Sequence, residues 1–96
     1  MSDFVNTWFS FDNERLTVFR EITIERLPKL MRGLSAHRTP IREVWFDQVT
    51  VLDSAAIIVL LACRRTINEA LTVRGASEKL GALIRLYRLD GLFLRV

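Results

Sequence analysis

The longest uninterrupted apolar stretch of the sequence, Ala55 to Cys63, runs for nine residues and directly follows Asp53 and Ser54. A membrane-spanning helix needs about 20 such residues, so this stretch predicts a helix buried inside a folded domain. Half of the 96 residues are hydrophobic, which is enough for one modest core. The sequence therefore predicts a single domain that covers residues 1–96.

The first third of the chain predicts a hairpin followed by a helix. Residues 8–11 and 16–19 form short apolar runs on either side of a polar stretch, a pattern typical of two paired strands. Beyond them lies Pro28, which a helix accepts only in its first turn, so this helix should begin close to Leu27. Its apolar residues recur at helical spacing and are Leu27, Leu30, Met31 and Leu34.

The rest of the chain alternates strands and helices. Residues 44–46 are all apolar, as expected for a strand covered on both surfaces, and residues 71–74 and 92–94 predict two more strands. Ser77 is a predicted N-cap, and the helix after it has apolar residues at helical spacing: Leu80, Leu83, Ile84 and Tyr87. This order favours an α/β domain with a mixed sheet of four or five strands packed by about three helices.

Asp53 and Ser54 stand where the longest apolar stretch should begin its helix. Aspartate or serine at that position accepts a hydrogen bond from an unpaired helix N–H group, so capping alone could account for both residues. The same end of a helix attracts anions, including a phosphoryl group on Ser54. The sequence leaves both roles open.

The predicted faces of this helix indicate a second feature. At about 100° per residue, its later polar residues share one side: Arg64, Arg65, Asn68 and Glu69. The opposite side, which should face the sheet, comprises Ala56, Val59, Leu60, Cys63, Ile67 and Ala70. Nearer to Ser54, the same side of the helix as these polar residues carries Ile57, Ile58 and Leu61. Either other elements cover these three side chains, or they form an exposed apolar patch for docking another protein.

The same residues carry a resemblance. Residues 49–55, Val-Thr-Val-Leu-Asp-Ser-Ala, resemble the STAS-domain signature, in which Asp-Ser or Asp-Thr follows a strand and opens a helix. Residues 71–80 and 83–89 are similar to the last part of that domain, in which a strand is followed by a glycine, a helix and a leucine-rich final segment. Residues 85–89, Arg-Leu-Tyr-Arg-Leu, look most like MlaB-like subunits. Those are cytosolic components of the bacterial phospholipid ABC transporter that maintains outer-membrane lipid asymmetry.

The resemblance implies a non-enzymatic protein that binds the ATPase subunit of such a transporter. In that family the residue at the position of Ser54 lies on the partner-binding surface. Together with the apolar patch, this predicts a partner-binding surface of Thr50, Asp53, Ser54, Ile57, Ile58 and Leu61. The alternative is an anti-sigma factor antagonist, in which an anti-sigma factor kinase phosphorylates the residue at the position of Ser54 and abolishes binding. The chain departs from the family pattern at Ala56, usually glycine, at Ile58, usually small, and at Trp45, often acidic. These side chains crowd the helix mouth and favour constitutive docking.

The composition gives little support for catalytic activity, for a bound cofactor or for nucleic-acid binding. His37 is the single histidine and lies in a predicted solvated loop, and Cys63 lies on the predicted core side of its helix, so neither a metal site nor a nucleophile–base pair is indicated. The net charge of +3 is spread along the chain rather than clustered. The lone cysteine and the lack of a signal peptide at residues 1–4 predict a cytoplasmic protein that reaches the inner membrane only through its partner.

Overall fold

The computed structural model describes residues 8–37 and 39–96, so the N-terminal residues on which the signal-peptide argument rested lie outside the described part. The described residues contain a five-stranded sheet with β1 (Phe9–Asp12), β2 (Arg15–Val18), β3 (Glu43–Trp45), β4 (Leu71–Arg74) and β5 (Phe93–Arg95). They also contain the helices α1 (Leu27–Ser35), α2 (Ala55–Arg64) and α3 (Glu78–Leu86). No helix in this part of the chain is long and apolar enough to cross a membrane.

The spatial order of the strands is the same as their order in the chain, β1-β2-β3-β4-β5. β1 and β2 form the predicted antiparallel hairpin, and each later strand pairs parallel with the one before it. A parallel neighbour requires a crossover connection, which α1, α2 and α3 supply in turn. The predicted α/β class with a mixed sheet is confirmed.

The core lies between one face of the sheet and the helices. Leu16, Val44 and Val73 are in register on neighbouring strands and are fully buried. Their alternation with more exposed residues gives the sheet one apolar face. Against that face, α1 buries Leu30 and Leu34 from the predicted stripe. α2 contacts both α1 and α3, so it is the central helix of the layer.

The other face of the sheet shows that one prediction was wrong. β3 was expected to be covered on both surfaces, but the Trp45 side chain is only partly buried. Two guanidinium groups flank its ring, with Arg15 Cζ at 4.3 Å and Arg74 Cζ at 4.5 Å from the ring centroid. Cation–π contacts of this kind let a large aromatic residue remain near solvent without a helix above it.

Two helices end earlier than the sequence predicts. α2 stops at Arg64 because the Thr66 hydroxyl donates to the Cys63 carbonyl at 2.7 Å and accepts from the Ile41 N–H at 2.8 Å, which fixes a turn. Ile67 is buried as expected, but Ala70, predicted on the core side, is exposed in the loop beyond.

α3 ends at Leu86, so Tyr87 leaves the predicted apolar stripe and is 50% exposed. Arg88 adopts a left-handed φ of 57°, and the Leu89 N–H donates to the Ile84 carbonyl at 2.9 Å. This six-to-one hydrogen bond around a left-handed residue is a Schellman C-cap.

Candidate functional site

Two chain segments meet where α2 begins. Ile22 pairs with Leu52 in an isolated parallel bridge, in which the Ile22 N–H donates to the Val51 carbonyl and the Asp53 N–H donates to the Ile22 carbonyl, both at 3.1 Å. Ile22 and Leu52 are buried. This bridge, rather than the strand suggested by the sequence, fixes the loop that leads into Ser54.

The Asp53 carboxylate holds the two segments together. Its Oδ1 accepts from the Ala55 N–H at 2.8 Å, and its Oδ2 accepts from the Ile24 N–H at 3.1 Å. The first bond caps α2, and the second attaches the 3₁₀ turn Ile24–Arg26 to the same carboxylate. Asp53 is therefore a positioning residue of the site.

Ser54 does not share the capping role that the sequence left open. It adopts helical backbone angles, φ −60° and ψ −14°, and its side chain accepts no capping hydrogen bond. Its hydroxyl has no hydrogen-bond partner among residues 8–37 and 39–96, and the residue is partly exposed. The structure thus separates the two neighbours: Asp53 organises the helix end, and Ser54 presents a free hydroxyl there.

This division of roles predicts that two alanine substitutions differ in their effect on stability. Asp53→Ala removes the cap and the bond to Ile24, and it should lower the free energy of unfolding by about 1–2 kcal/mol. Ser54→Ala removes no hydrogen bond and should change it by less than about 0.5 kcal/mol. Urea unfolding followed by circular dichroism measures both. Equal destabilisation by the two variants would contradict the assignment of the cap to Asp53.

The three aliphatic residues expected on the outer side of α2 differ in exposure. Ile58 is 39% exposed, as the patch requires, and Leu61 is partly buried. Ile57 is only 5% exposed, so the expectation that it faces outward was wrong. α2 lies between α1 and α3, so these two helices cover its flanks, and the sheet covers its inner side.

Two exposed aliphatic residues near Ser54 were missed from the sequence. Ile24 is 50% exposed and Val51 is 56% exposed, and both belong to the segments that meet at the start of α2. Residues 49–52 resemble a strand, but Val49 and Leu52 are buried while Thr50 and Val51 are exposed, so the burial does not alternate. We call the group Ile24, Thr50, Val51, Ser54 and Ile58 the Ser54 surface.

The candidate chemistry of the remaining polar residues is limited. Burial raises the pKa of the Cys63 thiol to about 12, so it is protonated at neutral pH. His37 was expected in a solvated loop, but its ring stacks on Phe11 with the ring centroids 3.8 Å apart. Within residues 8–37 and 39–96, no three histidine, cysteine or acidic side chains are grouped so that they could hold a metal ion.

Comparison with known proteins gives matches among solved structures. No protein-family model and no curated protein sequence matches the chain. A crystal structure from Thermotoga maritima, described as a candidate anti-sigma factor antagonist, superimposes with a TM-score of 0.66 at 15% identity, over 91% of this chain and 82% of that chain. The anti-sigma factor antagonist SpoIIAA in its unphosphorylated form gives a TM-score of 0.55 at 10% identity, over 92% and 88%.

These similarities define the fold. The five-stranded mixed sheet with three helices in the described residues has the architecture of the two anti-sigma factor antagonists, which is the STAS fold. The fold implied by the resemblance is therefore confirmed. At 10–15% identity, the comparison concerns architecture alone.

Proposed function

We propose that this chain is a non-enzymatic, cytoplasmic protein-docking domain of the anti-sigma factor antagonist kind, and that it binds an anti-sigma factor kinase through the Ser54 surface. The observation that carries the proposal is the unbonded Ser54 hydroxyl with the exposed side chains of Ile24, Val51 and Ile58 around the same helix end. Exposed aliphatic side chains grouped in this way are typical of protein-binding surfaces. The names of the two similar structures support the kind of partner.

Phosphorylation of Ser54 would act as a switch for physical reasons. A phosphoryl group adds a charge of about −1.5 to −2 at pH 7. On Ser54 it would stand beside the Asp53 carboxylate and among aliphatic side chains that the complex must bury. Desolvation of the phosphoryl group and its repulsion by acidic neighbours would then oppose docking.

Incubation with a partner kinase and ATP tests this function. We expect one phosphate per chain, located on Ser54 by mass spectrometry and absent from Ser54→Ala. The phosphorylated protein should bind the kinase at least about a hundredfold more weakly, because a buried, unpaired charge costs several kcal/mol. A stable complex that yields no phosphate on Ser54, or that forms equally with both forms, would contradict the switch.

A second candidate partner is the ATPase subunit of a phospholipid ABC transporter. The observation in its favour is that Val51 and Ile58 leave the Ser54 surface strongly apolar, which suits constitutive docking. Copurification with the ATPase, with wild-type affinity for Ser54→Ala and no phosphate on Ser54, would support this candidate against the first.

A further inference from the structure

β5 forms an open edge of the sheet. It is last in the spatial order of the described strands, so only the side toward β4 is paired. The Val96 N–H donates to the Val73 carbonyl at 3.0 Å, and the Gly75 N–H donates to the Val96 carbonyl at 3.4 Å. Since backbone groups alternate in direction along a strand, those of Phe93 and Arg95 are directed away from β4, where no described residue bonds them. The edge can therefore pair with another strand.

The side chains of β5 differ between the two faces of the sheet. Leu94 is in register with Thr72 on the outer face, which no described helix covers, and Leu94 is 57% exposed. Val96 follows on the same face and is 68% exposed. Arg95 is in register with Val73, which belongs to the core, so Arg95 projects to the side of the helices. The edge thus has one apolar face and one cationic face.

Gly81 allows the Arg95 side chain to lie against α3. Glycine weakens the interior of a helix, but this one is buried, and a Cβ atom on it would overlap Arg95 Nη1. The same Cβ atom would come within 3.5 Å of Arg85 Nη1. The guanidinium groups of Arg85 and Arg95 are therefore neighbours above Gly81. Charged side chains on an edge strand often hinder pairing with another strand, but here the charge is drawn back over the helix.

The two neighbouring guanidinium groups have no counter-charge. Neither Arg85 nor Arg95 forms an ion pair with any residue in 8–37 or 39–96. Like charges side by side repel each other, and a carboxylate bound between them relieves that repulsion. A second copy of the chain, paired antiparallel through β5, would keep its helices on the same side of the joined sheet and add two more arginines there. The charge therefore favours an acidic strand over a second copy.

We propose that β5 accepts an extended acidic segment of another protein as an additional, antiparallel strand. Antiparallel pairing is the more stable per residue. In this arrangement, the residues that bond the backbone of Phe93 and Arg95 project to the side of the helices, so these are the acidic residues of the segment. The residues between them are apolar and contact Leu94 on the outer face. This inference does not depend on the proposed function of the Ser54 surface.

Titration of the full chain with the peptide Thr-Glu-Val-Glu-Val-Glu-Thr, blocked at both ends and followed by NMR, tests the proposal. Saturable shifts should occur at the backbone amides of Phe93 and Arg95, with a dissociation constant on the order of 0.1 mM for so short a strand. Arg95→Gln should weaken binding about threefold, and Arg85→Gln combined with it about tenfold. Arg32→Gln is the matched control: it removes one exposed charge from α1, on the other side of α2, and should bind normally.

Modified peptides contain the outcomes that would overturn the proposal. N-methylation of the glutamates removes the N–H groups that should face β5 and should abolish binding, whereas N-methylation of the valines should leave binding unchanged. Lysine in place of glutamate should weaken binding at least about tenfold. Equal binding of the lysine peptide, or of the peptide with methylated glutamates, would contradict the acidic strand.

Two results without a modified peptide would also overturn it. If the glutamate peptide causes no saturable shift at Arg95, the edge does not accept it. If the Arg95 amide shifts with protein concentration alone, and analytical ultracentrifugation shows a doubled mass, a second copy of the chain occupies the edge.

Discussion

The Ile58→Asp variant should lose at least about a hundredfold in affinity for the kinase partner while remaining folded. Ile58 is 39% exposed on the Ser54 surface, so a carboxylate there stays solvated in the free domain but would be desolvated in the complex. Isothermal titration calorimetry measures the affinity, and circular dichroism reports the fold. Leu94→Asp is the matched control, because Leu94 is 57% exposed on β5, away from this surface. Equal binding by Ile58→Asp and the wild type would exclude the surface.

The same substitution one residue earlier should have a different consequence. Ile57 is 5% exposed, so Ile57→Asp places an unpaired charge in the core and should lower the free energy of unfolding by more than about 3 kcal/mol. That is a large part of the 5–15 kcal/mol available to a domain. Comparing Ile58→Asp with Ile57→Asp therefore distinguishes a loss of binding at the docking surface from a loss of binding that is caused by unfolding.

The second large effect is expected from truncation of Leu60 at the centre of α2. Leu60→Ala should lower the free energy of unfolding by about 2–5 kcal/mol, because the side chain is fully buried and α2 is held between two helices and the sheet. For a domain of this size the melting temperature should fall by about 10 °C or more. Calorimetry measures this fall.

Leu86→Ala is the matched control, because it makes the same leucine-to-alanine truncation at an exposed position. Leu86 is 71% exposed at the end of α3, so its truncation should alter stability by less than about 0.5 kcal/mol. A similar loss in both variants would contradict the central position of α2 in the core.

The strands and helices could be predicted from the sequence wherever a local signal decides the structure. Pro28 placed the start of α1, and Ser77, whose Oγ accepts from the Leu80 N–H at 3.2 Å, placed the start of α3. Gly75, with φ at 74°, ends β4 as expected. The end of α2 could not be predicted, because it depends on the hydrogen bond from the Ile41 N–H to Thr66, 25 residues away in the chain.

The site was predictable only in part, for a related reason. Helical periodicity correctly placed Ile58 on the outer side of α2, since that prediction requires only the helix itself. The same periodicity failed for Ile57, whose burial depends on neighbouring elements packed against α2. Ile24 joins the site through a hydrogen bond to Asp53, 29 residues away, and the sequence contains no local signal for such a contact.

The strand order has a consequence for how the molecule assembles. Each strand pairs with the strand before it at the edge of the sheet, so no strand has to be inserted between two strands that are already paired. Closing each new pair requires a loop of one crossover only, which keeps the entropy of loop closure small at every step. The chain can therefore fold by sequential addition from the hairpin onward, and the three parallel pairings, each between residues far apart in the chain, should be its slow steps.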